Sequence, residues 1–450
     1  LASLRALPHV GGVASRLDID QVRRTVAEIR TLLQERERRF ADLGVDNMAT
    51  YRRMRREGRV SDDPFGDVFL VIDGWLTIKN DFAELEPVVT DIANRGLSYG
   101  IHVVATTSRW MDMRGALRDV FGTRLELRLG DPIDSNFNRR AAANVPENAP
   151  GRGLTPDALH FLSGLPRMDG RQDASDLAEG VRHLVSSVRA AWKGAPAPRV
   201  RLLPAMVPHT DLPPITSDSP GIPIGIAEED LGPVYLDFET EPHFLLFGDV
   251  ECGKSAFLRQ VALGITERYT PQQARIVLID YRRSLLGAIK TEHLIGYATA
   301  APITTTYIQQ VCTVLRERLP GPDVTPEQLR TRSWWKGPNI FILVDDYDLV
   351  ATGTSNPLQP LLEFLPQARD IGLHLVVTRR MGGAGRAMFE PILQRLRELA
   401  SPGMVMSGSK DEGTLLGNIR PQPLPPGRGW LVTRRGGNRL IQVAWRPPAE

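Results

Sequence analysis

Eight consecutive residues of this 450-residue chain have the types and spacing to do chemistry: Gly248-Asp249-Val250-Glu251-Cys252-Gly253-Lys254-Ser255. They fit G-x-x-x-x-G-K-S/T, the P-loop pattern. Glycines let the backbone wrap with its N–H groups toward a β-phosphate, and the N-terminus of a following helix adds positive potential. The context agrees: an apolar run, His243–Phe247, leads in as a strand, and Ala256–Ala262 continues as a helix. ATP is therefore expected against Gly248 to Ala256, with Lys254 on the β- and γ-phosphates and Ser255 on Mg²⁺. Such a loop needs an acid on a neighbouring strand, and Phe341-Ile342-Leu343-Val344-Asp345-Asp346 supplies one. Asp345 is expected to act on the metal or its waters, and Asp346 to polarise the attacking water. Many motors carry Glu at the second position; Asp is one methylene shorter, so slow hydrolysis is expected.

Three nearby residues have two readings each. Thr378, ending the strand after the acid strand, either senses the γ-phosphate or simply ends a strand. Arg369 reads as a solvated helix arginine, the alternative being an arginine finger reaching a neighbouring subunit's nucleotide. Cys252 reads as a small space-filling residue, though its place in the loop would let thiol reagents block binding.

The elements that must position these residues are short, continuous apolar runs bounded by turn residues. Such runs read as strands buried on both faces, as in a parallel sheet. The candidates are His243–Phe247, Arg275–Asp280, Asn339–Asp345 and Leu373–Thr378, with a strand-like Leu440–Trp445 near the end. Thr304 to Arg318 has helical spacing, with apolar residues at Ile308, Val311, Cys312 and Leu315. Thr270-Pro271 and Thr325-Pro326 suit turns or helix starts, with Thr as N-cap and Pro at N1. Strand alternating with helix argues for α/β layers.

The chain also repeats itself. Val68-Phe69-Leu70-Val71-Ile72-Asp73 matches Ile340 to Asp345, and Gly100 to Thr106 matches Gly372 to Thr378, both at one offset of 272 residues. Pro150-Gly151-Arg152-Gly153 matches Pro426-Gly427-Arg428-Gly429 slightly out of that register, and His9 to Gly12 matches His293 to Gly296 more weakly. Two tandem domains are expected, residues 1–195 and 224–450, joined by a Pro-rich linker over 196–223. In the first, Asp73 matches the metal acid but Gly74 replaces the second carboxylate, so even an intact domain of this kind is expected to bind nucleotide better than it hydrolyses it. No G-x-x-x-x-G-K-S/T occurs between Leu1 and Ala195, and a loop matching the second domain's would lie ahead of Leu1. The first domain is therefore expected to lack its first strand and P-loop in this chain.

Composition narrows the class. Hydrophobic residues are 42% and charged residues 24%, an ordinary globular balance. Lys plus Arg is 55 against 53 for Asp plus Glu, so the basic excess typical of a DNA-binding protein is missing and no nucleic-acid partner is expected. Arg52, Arg53, Arg55 and Arg56 form a basic run, but Glu57, Asp62 and Asp63 lie beside it, and it reads as a solvated face. Two cysteines make no disulfide framework, which suits a reducing compartment, and no 18-residue apolar window spans a bilayer. The start at Leu1, without a signal-like segment, reads as a fragment.

These motifs resemble the FtsK/SpoIIIE branch of RecA-like motors, through the P-loop, the Leu343-Val344-Asp345-Asp346 strand end and Ala368 to Thr378. Leu7 to Ala14, Phe69 to Trp75 and Arg332-Ser333-Trp334-Trp335 narrow the resemblance to the EccC ATPases of mycobacterial type VII (ESX) secretion. It covers nearly the whole chain, as the last two of three ATPase domains. It implies two tandem RecA-like P-loop NTPase domains with mainly parallel central sheets, ATP and Mg²⁺ as ligands, and a cytosolic position at the inner face of the cell membrane. The implied partners are WXG100-type secreted proteins held by a C-terminal signal helix, membrane subunits of the secretion complex, and further copies in a hexamer. One of Trp334 and Trp335 is a candidate for lining a helix-sized groove, with core packing as the alternative. A DNA translocase and a nucleotide-locked scaffold without turnover remain the other readings.

Overall fold

The structure, a computed structural model, describes residues 2–216, 218–352 and 355–448. Its contacts form two compact units, Leu1–Leu202 and Leu203–Glu450. The division falls inside the stretch expected to be a linker, and that stretch is not free. Proline lacks an N–H but keeps its carbonyl as an acceptor. In the first unit, Ala197 N–H donates to the Pro8 carbonyl at 2.7 Å and Val200 N–H to Gly11 at 3.1 Å. In the second, the buried Arg428 guanidinium donates to the carbonyls of Leu203 and Pro204, each at 2.9 Å.

After a short 3-10 turn at Ala2–Ala6, the first unit has a long helix, Ile19–Leu43, whose buried Val26, Ile29, Leu33 and Phe40 recur at helical spacing. Val26, Ile29 and Leu33 share one core with Trp75, Val89, Ile92 and a parallel pair, β1 (Val68–Ile72) and β2 (Ile101–Ala105). A small antiparallel sheet comes next: β3 (Glu126–Leu127), β4 (Arg152–Leu154) and β5 (His160–Leu162). The basic run is a short helix, Met48–Arg56, in which Arg52 pairs with Asp67 at 2.6 Å and Arg55 donates to backbone carbonyls at Asp63 and Phe65.

The second unit is built on an 11-stranded sheet. In chain order its strands are β6 (Val207–Pro208), β7 (Ile222–Ala227), β8 (Pro233–Leu236), β9 (His243–Gly248), β10 (Ala274–Asp280), β11 (Leu294–Ala298), β12 (Asn339–Asp345), β13 (Leu373–Arg380), β14 (Gly403–Met406), β15 (Arg428–Thr433) and β16 (Gly437–Trp445). Across the sheet the order is β11-β10-β12-β13-β9-β14, all parallel, then β15-β16-β7-β8, each antiparallel to the last, with β6 beside β16. Strands β9 and β13 are buried almost end to end, as their unbroken apolar runs require. The helix Lys254–Arg268 covers one face, with Phe257, Leu258 and Val261 packed among Phe341, Leu343 and Val376. The helix Ala301–Glu317 buries Ile308, Val311, Cys312 and Leu315 on the other. Thr325 caps the helix Pro326–Thr331 in a reciprocal box with Gln328, whereas Thr270-Pro271 makes only a turn.

The repeat survives in three dimensions. Val68 pairs with Ile101 and Ile72 with Ala105; 272 residues on, Ile340 pairs with Leu373 and Val344 with Val377. Phe69 stacks on His102 at 4.6 Å between centroids, and Phe341 on His374 at 4.3 Å. Burial differs. Phe69, Val71 and Val104 are 59%, 51% and 46% exposed, whereas Phe341, Leu343 and Val376 are at 0%. The expectation of strands buried on both faces therefore holds for the second unit and not for the first. An apolar run records what a strand can bury, and the helix that covers this face in the second unit has no counterpart among the described residues of the first.

Candidate nucleotide-binding site

Strand β9 ends at Gly248, and its carbonyl accepts from Met381 N–H at 3.1 Å. A Cβ on Gly248 would lie 2.4 Å from the Cys252 sulfur and 3.0 Å from Met406 Cβ, so the loop can start only with glycine. The turn is tight: Glu251 has φ 60° and Gly253 φ 108°, a conformation in which a side chain is strained. The loop is tethered from behind, Asp249 N–H to the Ser407 carbonyl at 2.9 Å and Gly427 N–H to the Cys252 carbonyl at 2.8 Å. The helix then begins at Lys254, and its first-turn N–H groups have no partners within the helix. Asp249, Val250 and Glu251 are exposed; Ser255 and Ala256 are half-buried.

Cys252 is 4% exposed, 3.7 Å from the Met406 sulfur, and burial pushes its thiol pKa up. A neutral, enclosed thiol is a poor target, which favours the space-filling reading over block by thiol reagents.

Behind the loop, the ends of β10 and β12 meet a residue of β13. Parallel register sets Asp280, the last residue of β10, beside Asp345, the last of β12. Ser255 donates to Asp345 Oδ2 at 2.6 Å, and Thr378 donates to Asp345 Oδ1 at 2.8 Å. The Thr378 hydroxyl also accepts from Asp346 N–H at 3.0 Å. Strand β13 runs on to Arg380, so Thr378 lies inside the strand and not at its end as expected, and its hydroxyl locks the acid and the residue after it. Burial raises the Asp345 pKa, opposed by the two hydroxyls and reinforced by the charges of Asp346 and Asp280. A buried carboxylate with only neutral hydroxyls as donors, beside a second oxygen donor at Ser255, is a fitting place for a hard divalent cation.

Lys254 is 7% exposed and donates from Nζ to the Asp249 carbonyl at 2.9 Å. The same ammonium lies 3.5 Å from Asp346 Oδ1. Asp346 has φ 48°, and its Oδ2 is 3.1 Å from Arg282 Nε and 4.0 Å from Arg380 Nε. Sequence reasoning missed Arg282 and Arg380. The available signal was Asp280, an acid closing an apolar run just as Asp345 does, with Arg282 two residues on.

The first unit carries half of this arrangement. Thr106 donates to Asp73 Oδ1 at 2.8 Å and accepts from Gly74 N–H at 2.8 Å. Gly74 has φ 89°, left-handed like Asp346, but offers no carboxylate.

The other candidates are held in place. Arg369 is exposed and donates to the Glu239 carbonyl at 2.9 Å. Both tryptophans bond backbone, Trp334 to the Arg318 carbonyl and Trp335 to Asp370, each at 2.8 Å, and Trp335 stacks under the Arg318 guanidinium at 4.2 Å. Both are half-buried. No helix among the described residues is long and apolar enough to cross a membrane.

Known proteins share this sequence and fold. The FtsK/SpoIIIE family model matches residues 1–169 and 213–315. EccC of Thermomonospora curvata, an ESX secretion system protein, is 58% identical over 446 residues, which are 99% of this chain and 34% of that protein. The chain thus spans about a third of that relative's length. EccCb1 of Mycolicibacterium smegmatis, an ESX-1 secretion system protein, is 39% identical over 100% of this chain and 78% of its own length. A solved structure of Thermomonospora curvata EccC, ATPases 2 and 3 in complex with a signal sequence peptide, superposes with a TM-score of 0.95 at 57% identity, over 99% of this chain and 80% of that one.

Proposed function

The chain belongs to the FtsK/SpoIIIE family, among the EccC-type ESX secretion ATPases, and from that premise we propose that its second unit is a nucleotide-responsive module that binds Mg·ATP, hydrolyses it slowly and uses it to govern capture of exported proteins. The observation that carries this reading is the hydrogen-bonded chain Ser255–Asp345–Thr378 beside Lys254 on a strand–loop–helix. Under it, the loop from Gly248 to Ala256 cradles the phosphates and Lys254 supplies positive charge to the β- and γ-phosphates. Ser255 and Asp345 hold the cation, which when bound neutralises charge developing on the phosphate oxygens. Asp346 accepts a proton from water as the water oxygen bonds the γ-phosphorus and the β–γ bridge breaks, leaving ADP and phosphate. Thr378 keeps Asp345 and Asp346 in place during this step. The first unit keeps Asp73 and Thr106 but has neither the second carboxylate nor a G-x-x-x-x-G-K-S/T loop, which suits a unit without turnover.

The exported proteins are proposed to be of the WXG100 type, recognised through a C-terminal signal helix; that the relative was solved with a signal sequence peptide supports recognition of a peptide signal. The whole protein is proposed to act in the cytoplasm at the inner membrane face, with membrane subunits and further copies in a hexamer. A second reading, a nucleotide-locked scaffold, is favoured by one observation: Asp346 is held by ion pairs to Lys254 and Arg282. Phosphate release under saturating Mg·ATP, with and without a WXG100-type signal peptide, separates the two. Peptide-dependent release supports the module; none under either condition leaves the scaffold. A duplex-DNA gel shift that weakens steeply with salt would instead favour a DNA translocase.

A further inference from the structure

Asp346 stands among charges from every element packed around it. Lys254 comes from the P-loop helix, Arg282 from the turn after β10 and Arg380 from the end of β13. Asp345 precedes it, Asp280 ends the next strand, and Asp348 shares Arg380 at 3.8 Å. The turn carrying Arg282 is itself anchored. Asp280 is fully buried and accepts from Arg282 N–H at 3.2 Å, Leu285 N–H at 2.7 Å and the Tyr297 hydroxyl at 3.0 Å. Strand register then sets the turn leaving β10 level with the turn leaving β12.

We propose that Arg282 is the positioning residue that lets this site accept a triphosphate, by neutralising Asp346 once the phosphates have drawn Lys254 away. The inference rests on the nucleotide reading of the Lys254 loop. Asp346 has two close cations, Lys254 on Oδ1 and Arg282 on Oδ2. A γ-phosphate recruits Lys254. Asp346, with its side chain 7% exposed, then faces new negative charge with Arg282 as its remaining close partner. Arg380 stands farther off and is shared with Asp348. Loss of Arg282 therefore does little to the free chain, where Lys254 still covers Asp346, and much to the ATP complex. ADP brings no γ-phosphate and is affected less.

The test is a binding cycle on the whole chain with Mg·ATP and Mg·ADP, using Arg282→Gln, Asp346→Asn and the double variant. Arg282→Gln is expected to weaken ATP at least about tenfold and ADP under about threefold. Adding Asp346→Asn is expected to return ATP affinity to within about threefold of wild type, because the charge needing cover is gone. Arg282→Lys, which keeps the charge, stays near wild type. ATP binding unaltered by Arg282→Gln overturns the proposal. So does a loss that Asp346→Asn fails to restore, since Arg282 would then act on the phosphates or on the fold. Arg282→Met repeats the cycle should the glutamine variant melt early. Lys254→Ala run alongside separates the two layers: if it binds ATP like wild type, the nucleotide reading itself has failed.

Discussion

The duplicated acid–threonine lock offers a controlled experiment within one chain. Thr378 and Thr106 make the same two hydrogen bonds, to the acid at or just past the end of the neighbouring strand and from the N–H of the next residue. Thr378 is fully buried and Thr106 exposed. Replacing Thr378 with the isosteric valine removes a bond to a carboxylate, worth about 1.5–3 kcal/mol, and orphans a buried N–H at about 1–3 kcal/mol. With the gain from burying a methyl set against these, the net loss should be about 3 kcal/mol. At Thr106 water replaces both bonds, so Thr106→Val should cost below about 1 kcal/mol. With two compact units, one melting temperature need not describe one transition, so hydrogen exchange read peptide by peptide is the better assay. Peptides covering β12 and β13 should exchange about a hundredfold faster in Thr378→Val, while those covering β1 and β2 change little in Thr106→Val. Equal effects at the two sites, or under about threefold at β12, would refute the argument that burial makes this lock strong.

Three further outcomes are expected. Gly253→Ala puts a Cβ at φ 108°, 3.2 Å from Gly427 N; it should cost about 1–3 kcal/mol in denaturant titrations and lower ATP affinity in calorimetry, and unchanged affinity would count against the loop geometry. His243 and His374 are buried and neutral, with pKa values lowered by desolvation to about 4 and about 3. Above pH 6.5 they are neutral folded or unfolded; below it only the unfolded chain takes up protons, so urea midpoints of the second unit should fall from about pH 6.5 toward pH 4, by about 2 kcal/mol per histidine at pH 5. A flat profile from pH 7 to pH 5 would contradict this. Cys252 should resist alkylation in native buffer and react on denaturation, as mass spectrometry would record; rapid native labelling would mean that the loop opens.

Some of this was legible in the sequence because it is local. The P-loop, Asp345 and Thr378 each lie on or directly beside a continuous apolar run, and the 272-residue repeat preserves strand register, so matching letters become matching hydrogen bonds. The antiparallel half of the large sheet was harder to read. Strand β7 carries Pro223 and Gly225, composition that reads as linker, yet Gly225 is needed because a Cβ there would lie 2.1 Å from the Gln442 carbonyl oxygen. The pairing of Arg282 with Asp346 was invisible because it depends on two strand ends lying level, which spacing along the chain does not fix. The open face at Phe69, Val71 and Val104 was invisible too, since an apolar run does not say which of its faces another element will cover.

Everything proposed for the second unit depends on a working nucleotide site centred on Lys254. Isothermal titration of Mg·ATP into the chain and into Lys254→Ala, with released phosphate assayed in the same samples, examines that dependence without intermediaries. Binding should be found in the wild-type chain and disappear in the variant, with slow phosphate release. Equal binding by the two proteins, or no binding by the wild-type chain, would mean that the loop does not hold nucleotide as its geometry requires.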